Sequence, residues 1–315
     1  MLTLHSPSER LGLGVGLDLS WGVPIGFRRD PARGDRVEER VVRFLAQHAG
    51  AFAYLFVSWQ PRDRNRPVAE DYFAAYDDLF ARAPAFSALG LHQTALNLGA
   101  LERYDRAPFI ELTNALVERY GMCWVNEDVG VWSIHGHPLT YPLPPYLNAQ
   151  GLRAAVRNTR EVQARLRVPL LLEFPGFSDE SISIGRLHAY DFFRELVEDT
   201  SALATLDLGH LLSYQWCRGR RGDALYEELE RLPTDRCVEM HLSGCEVVDD
   251  RLLDFHHGLL MPEQFELLSR LLPHCPNLRV VTYEDPKFDA GGALLERTRA
   301  SFSALRTRVA QWARP

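Results

Sequence analysis

The chain has 315 residues, 46% of them hydrophobic, so it is long enough to bury a substantial core. Its 35 basic and 42 acidic residues give a net charge of −7, which argues against a nucleic-acid partner because such partners favour a basic face. The sequence shows no signal peptide and no apolar stretch of about 20 residues that could span a bilayer. We therefore expect a cytoplasmic protein with no membrane partner.

Eight short apolar segments recur along the chain and predict β-strands. They cover residues 11–17, 52–57, 88–91, 122–126, 168–172, 203–206, 238–240 and 280–283. Between them lie segments with apolar residues three and four apart, a spacing that predicts amphipathic helices. These segments cover residues 36–48, 70–82, 109–120, 149–166, 187–197, 224–232, 262–272 and 294–310.

The alternation of strands and helices predicts a parallel sheet, and eight such units predict an α/β fold, the (β/α)8 TIM barrel. We expect a single barrel domain over residues 11–312, preceded by a short N-terminal tail at residues 1–10. An open doubly wound sheet is disfavoured, because Gly12, Gly14 and Gly16 lie inside the first strand and do not open a helix.

Three long loops, residues 22–35, 129–147 and 244–261, each follow a predicted strand. In a TIM barrel the loops that follow strands lie on the face that carries the chemistry. We therefore expect these long βα loops to shape a substrate cleft on that face.

An acid or a histidine stands at the end of seven predicted strands. These residues are Asp18, His92, Glu127, Glu173, Asp207, His241 and Glu284. Because the carboxyl ends of barrel strands meet on one face, these side chains should converge there. Converging carboxylates and imidazoles repel or stay unpaired unless a cation lies among them, so the pattern predicts a metal site.

Two further patterns, Asp207-x-x-His210 and Asp254-x-His256, each bring a carboxylate and an imidazole close together. The complete set of candidate metal ligands is His92, Glu127, Glu173, Asp207, His210, His241, Asp254, His256 and Glu284. One metal needs three or four ligands, so this set predicts two or three metals. Imidazole and carboxylate ligands without thiolate suit Fe, Mn or Zn.

The candidate catalytic groups are Glu127, Asp128 and His210. Asp128 could serve either as a metal ligand or as a hydrogen-bond partner of one. Asp18 and Asp285 are expected to bond to ligands rather than to metal.

Several short motifs follow one another along most of the chain. They are LHQTALNLG (91–99), NEDV (126–129), YPLPP (141–145), LEFP (172–175), LDLGH (206–210), EMHLSG (239–244), Asp254-Phe-His256 and YED (283–285). In this order they resemble the motifs of the multinuclear non-haem iron-dependent oxidative enzymes. The corresponding family motifs read LHgvgLSLG, SEHL, LLPLP, LENP, DvnN, eiHlaG, D-x-H and iEwD.

This resemblance implies a TIM barrel that holds two or three iron ions and uses O2. Members of the family oxidise cysteine or other side chains, such as Asp or Asn, in ribosomally made precursor peptides, often with a partner protein that delivers the peptide. Carried over by position, the resemblance makes eight residues iron ligands or their immediate neighbours: His92, Glu127, Glu173, Asp207, His241, Asp254, His256 and Glu284.

The sequence departs from the family motifs at three positions. Asp128 replaces the His of SEHL, Phe174 replaces the Asn of LENP, and His210 stands where Asn is usual. These departures leave open the number of irons and the reaction. His210 also makes the order of ligands similar to that of the type-four apurinic endonucleases and the xylose-isomerase-like barrels.

Three other functions stay open at this point. A metal-dependent hydrolase or endonuclease would use the cations to bind a phosphodiester and generate hydroxide. A sugar isomerase would use Lys287, the only lysine of the chain. A barrel without enzymatic activity could bind a partner, although the nearly complete ligand set argues against it.

Overall fold

The computed structural model describes residues 14–18, 38–58, 70–178 and 183–312. In chain order the strands are β1 (Gly14–Asp18), β2 (Tyr54–Ser58), β3 (Ala88–Gln93), β4 (Val125–Asp128), β5 (Val131–Ile134), β6 (His137–Leu143), β7 (Leu170–Glu173), β8 (Leu203–Asp207), β9 (Cys237–Leu242), β10 (Cys245–Val248), β11 (Arg251–Asp254) and β12 (Val280–Glu284). Eight of them form a closed parallel barrel in the order β1-β12-β9-β8-β7-β4-β3-β2. The predicted TIM barrel is therefore confirmed.

Eight helices accompany the barrel in the described residues. They are α1 (Glu39–Gln47), α2 (Glu70–Arg82), α3 (Ala107–Tyr120), α4 (Ala149–Gln163), α5 (Ala189–Thr200), α6 (Leu208–Cys217), α7 (Pro262–Leu271) and α8 (Glu296–Trp312). Among these residues, no helix is long and apolar enough to cross a membrane.

The helix predicted over residues 224–232 is wrong. The helix after β8 is α6, which begins directly at the strand end because the Asp207 carboxylate accepts the N–H of His210 and caps it. The predicted segment instead forms two short 3-10 turns, Gly222–Tyr226 and Leu229–Arg231. Between them Glu228 has a φ of 66°, a left-handed conformation that a continuous helix does not allow.

Two of the predicted long loops contain β-hairpins that the sequence pattern did not predict. β5 pairs with β6 in the loop after β4, and β10 pairs with β11 in the loop after β9. The third long loop, residues 22–35, and the predicted tail, residues 1–10, lie outside the described residues.

The register of the barrel brings the polar strand ends to one level. Asp18 pairs with Glu284 across β1 and β12, Asp128 with Glu173 across β4 and β7, and Asp207 with His241 across β8 and β9. Because neighbouring strands end together at the same rim, their terminal side chains face a common space.

Below this level, large apolar side chains fill most of the barrel interior. Its core contains Tyr54, Phe56, Trp124, Leu171 and Val280. Two glycines make room for the Phe56 ring: a Cβ at Gly90 would overlap this ring, and one at Gly16 would lie 3.1 Å from it. A second apolar layer packs the helices against the outside of the barrel.

Arg106, just before α3, fixes the loop that follows β3. Its side chain is 2% exposed, and its guanidinium donates to the backbone oxygens of Leu96 (2.6 Å) and Asn97 (2.9 Å). The Asn97 side chain in turn accepts the N–H of Trp132 at 2.7 Å, on strand β5. Arg106 thereby connects the barrel to the hairpin that covers its carboxyl end.

We predict that Arg106→Met lowers the free energy of unfolding by about 3 kcal/mol, because two buried carbonyl oxygens lose their donors. Arg270→Met is the matched control, since Arg270 is exposed and pairs with Glu266 within the same helix. That variant should lose less than about 1 kcal/mol. Denaturant unfolding followed by circular dichroism measures both changes, and equal losses would contradict the proposed role of Arg106.

Candidate metal centre

The polar residues predicted at the strand ends converge at the carboxyl end of the barrel. Eight of the nine predicted ligands lie there, buried or largely buried: His92, Glu173, Asp207, His210, His241, Asp254, His256 and Glu284. We refer to these eight residues as the polar cluster. Strand ends position most of them, while His210 lies in the first turn of α6 and His256 follows β11.

Glu173 is the centre of the polar cluster because three imidazoles surround its carboxylate. Its oxygens lie 3.2 Å from His241 Nδ1, 3.5 Å from His92 Nε2 and 3.9 Å from His210 Nδ1. Burial alone would raise the pKa of Glu173, but His241 and His92 outweigh this effect and hold the pKa well below its usual range. Glu173 would therefore offer an ionised carboxylate to a bound cation.

An outer carboxylate holds one nitrogen of His92. His92 Nδ1 is hydrogen-bonded to Asp18 Oδ2 at 2.8 Å, which leaves Nε2 directed towards Glu173. Burial would lower the pKa of His92, but Glu173 and Asp18 outweigh it and raise the pKa to about 10. Asp18 thus makes the hydrogen bond to a candidate ligand that the sequence predicted.

Asp207, His241 and Glu284 complete the group around Glu173. One donor atom from each of these four residues lies within 4.8 Å of all the others. His241 Nδ1 is 3.1 Å from Glu284 Oε1, and Asp207 uses its Oδ1 to accept the N–H of His210 at 2.7 Å. The second Asp207 oxygen remains for the cluster.

His210 connects this group to Asp254 and His256. Its Nδ1 donates to the backbone oxygen of Phe174 at 2.8 Å, so Nε2 carries the lone pair in the neutral ring. Asp254 Oδ2 lies 3.4 Å from His210 Nε2 and 3.3 Å from His256 Nε2. Asp254 therefore brings two imidazoles together: its closeness to His256 is what the Asp254-x-His256 pattern predicts, whereas its closeness to His210 comes from the fold.

The structure does not bring Glu127 into the polar cluster. Its carboxylate accepts the N–H groups of Leu96 (3.0 Å) and Asn97 (2.9 Å) in the loop after β3. The reason is the alternation of side chains along β4, which places Asn126 and Asp128 on the opposite face of the strand from Glu127. We therefore no longer propose Glu127 as a ligand or a catalytic group.

Asp128 takes the position that the sequence analysis gave to Glu127. Its Oδ1 lies 3.5 Å from His210 Nδ1, and Asp128, Glu173 and His210 form another potential metal-binding group. Burial, followed by repulsion from Glu173, raises the pKa of Asp128 to about 8. Burial likewise raises the pKa of Asp207 to about 7, although His210 opposes the shift.

Six residues of the polar cluster, together with Asp128, form the floor of a pocket of about 330 Å³, whereas Asp207 and His241 do not line this pocket. Its walls come mainly from the two hairpins and the loop after β12: Trp132, Tyr141, Pro142, Phe255 and Lys287. The pocket thus combines a charged floor with largely aromatic walls, which suits a substrate that carries a polar group on an apolar body.

Sequence analysis missed two residues that support the polar cluster. Asn126 donates a short hydrogen bond to Glu173. Glu239 lies 3.0 Å from His241 Nε2 and accepts hydrogen bonds from Trp124 Nε1 (3.0 Å) and Thr282 Oγ1 (2.7 Å). Each lies two positions before a site residue on the same strand, so the alternation of side chains was the signal that could have identified it.

The polar cluster fits a set of divalent cations. In the described part of the chain, several buried donor atoms of the polar cluster and of Asp128 have no hydrogen-bond partner: His92 Nε2, Asp128 Oδ1, Asp207 Oδ2, His241 Nδ1 and Asp254 Oδ2. Buried polar atoms normally have partners, and these atoms face one another. Nitrogen and oxygen donors of this kind suit Fe, Mn or Zn.

We predict that Glu173→Gln removes at least one metal per chain and weakens binding of the remainder more than about tenfold. Glu127→Gln, on the neighbouring strand, is the matched control and should retain the full metal content. It should melt at a lower temperature, because one N–H of the loop loses its acceptor. Elemental analysis by mass spectrometry measures the metals; loss of metal from folded Glu127→Gln would contradict the geometry.

We also predict that metal affinity falls as the pH is lowered from about 8.5 to about 6, since cations must displace protons. Asp128, with a pKa of about 8, and Asp207, with a pKa of about 7, are progressively protonated over this range. The expected change is about tenfold per pH unit for each proton displaced. Competition for Zn²⁺ with a chromophoric chelator measures it. Asp128→Asn should flatten the profile, and a flat wild-type profile would contradict this account.

Comparison with solved structures shows the same fold. Mannonate dehydratase from Streptococcus suis serotype 2 superposes with a TM-score of 0.54 and 12% identity, covering 96% of this chain and 94% of that one. The IOLI protein, in a structure with a bound zinc atom, gives a TM-score of 0.52 and 13% identity, covering 96% and 98%.

Comparison of sequences gives a relative and a family. A UPF0276 protein of Caulobacter vibrioides is 24% identical over 171 residues, which cover 53% of this chain and 58% of that protein. The family of RiPP precursor modification enzymes MbnB/TglH/ChrH matches residues 68–301, where RiPP denotes a ribosomally synthesised and post-translationally modified peptide. This span includes all eight residues of the polar cluster. The chain therefore belongs to this family of peptide-modifying enzymes, as its resemblance to the multinuclear non-haem iron-dependent oxidative enzymes predicted.

Proposed function

We propose that the chain is an iron-dependent oxidase that uses O2 to modify a side chain of a ribosomally synthesised precursor peptide. The target side chain in this proposal is cysteine, or alternatively Asp or Asn. The observation that carries the proposal is the polar cluster itself, six of whose eight residues line the floor of an open pocket. Membership of the family supports a peptide as the substrate.

The donor set supports two or three iron ions rather than a thiolate-bound metal. The nearest cysteine, Cys245, lies 3.7 Å from Asp254 Oδ1, and burial raises the pKa of its thiol well above the usual range. Among the described residues, the groups whose donor atoms lie close enough to share a metal contain histidine and carboxylate but no cysteine. Iron bound by such ligands would supply one-electron redox chemistry and the activation of O2.

The residues of the pocket would bind and orient the peptide. Trp132, Tyr141 and Phe255 offer aromatic surfaces that exclude water from around the reacting side chain. Burial raises the pKa of Asp128 to about 8, well above the usual range of a carboxyl group. We propose that Asp128 acts as a proton donor and acceptor and that His210 orients the substrate beside it.

A partner protein that delivers the peptide is also part of this proposal, and family membership supports it.

The second candidate function is metal-dependent hydrolysis. His210 favours it, because it adds an imidazole beside Asp254 and His256 where the family motif carries Asn. The two functions differ in their need for O2.

We predict that protein purified without oxygen contains two or three irons per chain and that Mössbauer spectra change when O2 is admitted. Co-expression with short reading frames next to the gene should yield a peptide whose mass changes by whole hydrogen or oxygen atoms. Without O2, this modification should stop while the metal content is retained. Glu173→Gln is the inactive control. Undiminished modification without O2, or activity with zinc alone, would overturn the oxidase and favour hydrolysis.

A further inference from the structure

Lys287 is the only lysine of the chain, and the other 34 basic residues are arginines. This single lysine lies in the wall of the pocket above the polar cluster. Among the described residues that line the pocket, the other cationic candidates are histidines of the cluster itself. A chain that uses arginine at every other basic position therefore has lysine at the one beside its candidate active site.

The backbone holds Lys287 in place. It lies three residues after the end of β12, and its carbonyl oxygen accepts the N–H of Leu295 at 3.0 Å. The next residue, Phe288, forms a β-bridge with Leu294. A Cβ at Gly258 would lie 3.1 Å from Lys287 Cγ, so the glycine gives the lysine stem room to pass. The backbone of Lys287 is thus fixed by hydrogen bonding, and the base of its side chain by packing.

The ammonium group of Lys287 makes no hydrogen bond or ion pair with any residue in the described ranges, although Asp128, Asp254 and Glu284 line the same pocket. The side chain is half-buried, and burial lowers the pKa of the ammonium group even though Asp285 opposes the shift. A partly desolvated cation without a partner is unfavourable in the free enzyme. An anion that enters the pocket would relieve this cost.

We propose that Lys287 is a specificity-determining residue that binds a carboxylate of the peptide substrate next to the side chain being modified. The inference rests on the proposed function, because it takes the substrate to be a peptide. The carboxylate would come from the peptide C-terminus or from an Asp or Glu side chain. A charge-assisted hydrogen bond to the ammonium group would hold it, and a neutral peptide would leave the cation unpaired.

The peptide taken as the substrate favours a carboxylate over a phosphate as the partner of Lys287, because an ammonium group binds either anion and an unmodified peptide carries carboxylates. Arginine binds either anion through paired hydrogen bonds, and this chain contains 34 arginines. An arginine here could also pair bidentately with the carboxylates of the pocket floor and compete with cations for them. A lysine offers a single compact charge, and the aromatic side chains of Trp132 and Phe255 suit the body of a peptide.

The single lysine makes amine acetylation a reporter of one side chain. Native, metal-containing protein is treated with an acetylating reagent, and the modification of Lys287 is followed by peptide mapping with mass spectrometry. The probes are acetyl-Ala-Ala-Asp-amide, acetyl-Ala-Ala-Asn with a free C-terminus, acetyl-Ala-Ala-Asn-amide and inorganic phosphate. We expect slower acetylation with one or both carboxylate probes and no change with the neutral amide. The first probe carries only a side-chain carboxylate and the second only a C-terminal carboxylate, so together they show which of the two Lys287 binds.

Variants test whether Lys287 itself causes this preference. Fluorescence anisotropy with a labelled Ala-Ala-Asp-amide should show affinity about tenfold higher than for the Asn-amide. Lys287→Met should abolish this preference, Lys287→Arg should retain part of it, and both should keep the wild-type metal content and melting temperature. Arg297→Met is the matched control, since this exposed arginine lies near Lys287 without lining the pocket, and the preference should persist.

A preference that survives in folded, metal-containing Lys287→Met would overturn the inference, because the carboxylate would then bind elsewhere, such as at the metals. Protection by phosphate alone would also overturn it and would favour a phosphodiester substrate. The result is separate from the test of the oxidase. If the spectra respond to O2 but no carboxylate preference is found, only the proposed role of Lys287 is wrong. If a carboxylate preference is found but the spectra do not respond to O2, only the proposed oxidase activity is wrong.

Discussion

The candidate site depends on burying several carboxylates close together at one end of the barrel. Glu173 has three imidazoles within 4 Å, and further carboxylates lie around them. Moving charges into an apolar interior is costly unless each is paired, and removing one partner leaves an uncompensated charge behind. The alternation of acids and imidazoles around the rim therefore constrains the identity of every residue there. It also explains why donor atoms that lack hydrogen bonds face one another rather than solvent.

The surrounding hydrogen bonds decide which atoms the cluster can offer. Asp18 holds Nδ1 of His92, so Nε2 of this ring faces Glu173, and the Phe174 carbonyl holds Nδ1 of His210, so Nε2 of that ring faces Asp254. Glu239 lies beside Nε2 of His241 and leaves Nδ1 between Glu173 and Glu284. Outer partners of this kind orient ligands and tune their basicity. The site therefore has two sets of residues: the polar cluster itself, and the buried groups of the barrel that hydrogen-bond to it.

The sequence was sufficient to predict the barrel and most of the polar cluster, because strand ends in a TIM barrel share one face. It failed at Glu127 for a local reason: adjacent residues on a strand point to opposite faces, so an error of one position in the strand end selects the wrong carboxylate. The pairing of Asp128 with Glu173 resolves this, but it is a contact between strands. The early start of α6 and the two hairpins likewise depend on capping and pairing that periodicity does not contain.

The departures of this chain from the family motifs have different structural consequences. The ring of Phe174 packs among Tyr190, Phe193 and Tyr214 between the barrel and α5 and α6, so it contributes only its carbonyl oxygen to the site. That carbonyl accepts from His210, the residue of the second departure, whose ring then faces Asp254. The third, Asp128, lies 3.5 Å from the same ring. The three positions are therefore adjacent in space and form one unit centred on His210, so a change at any of them alters the donors available to the others.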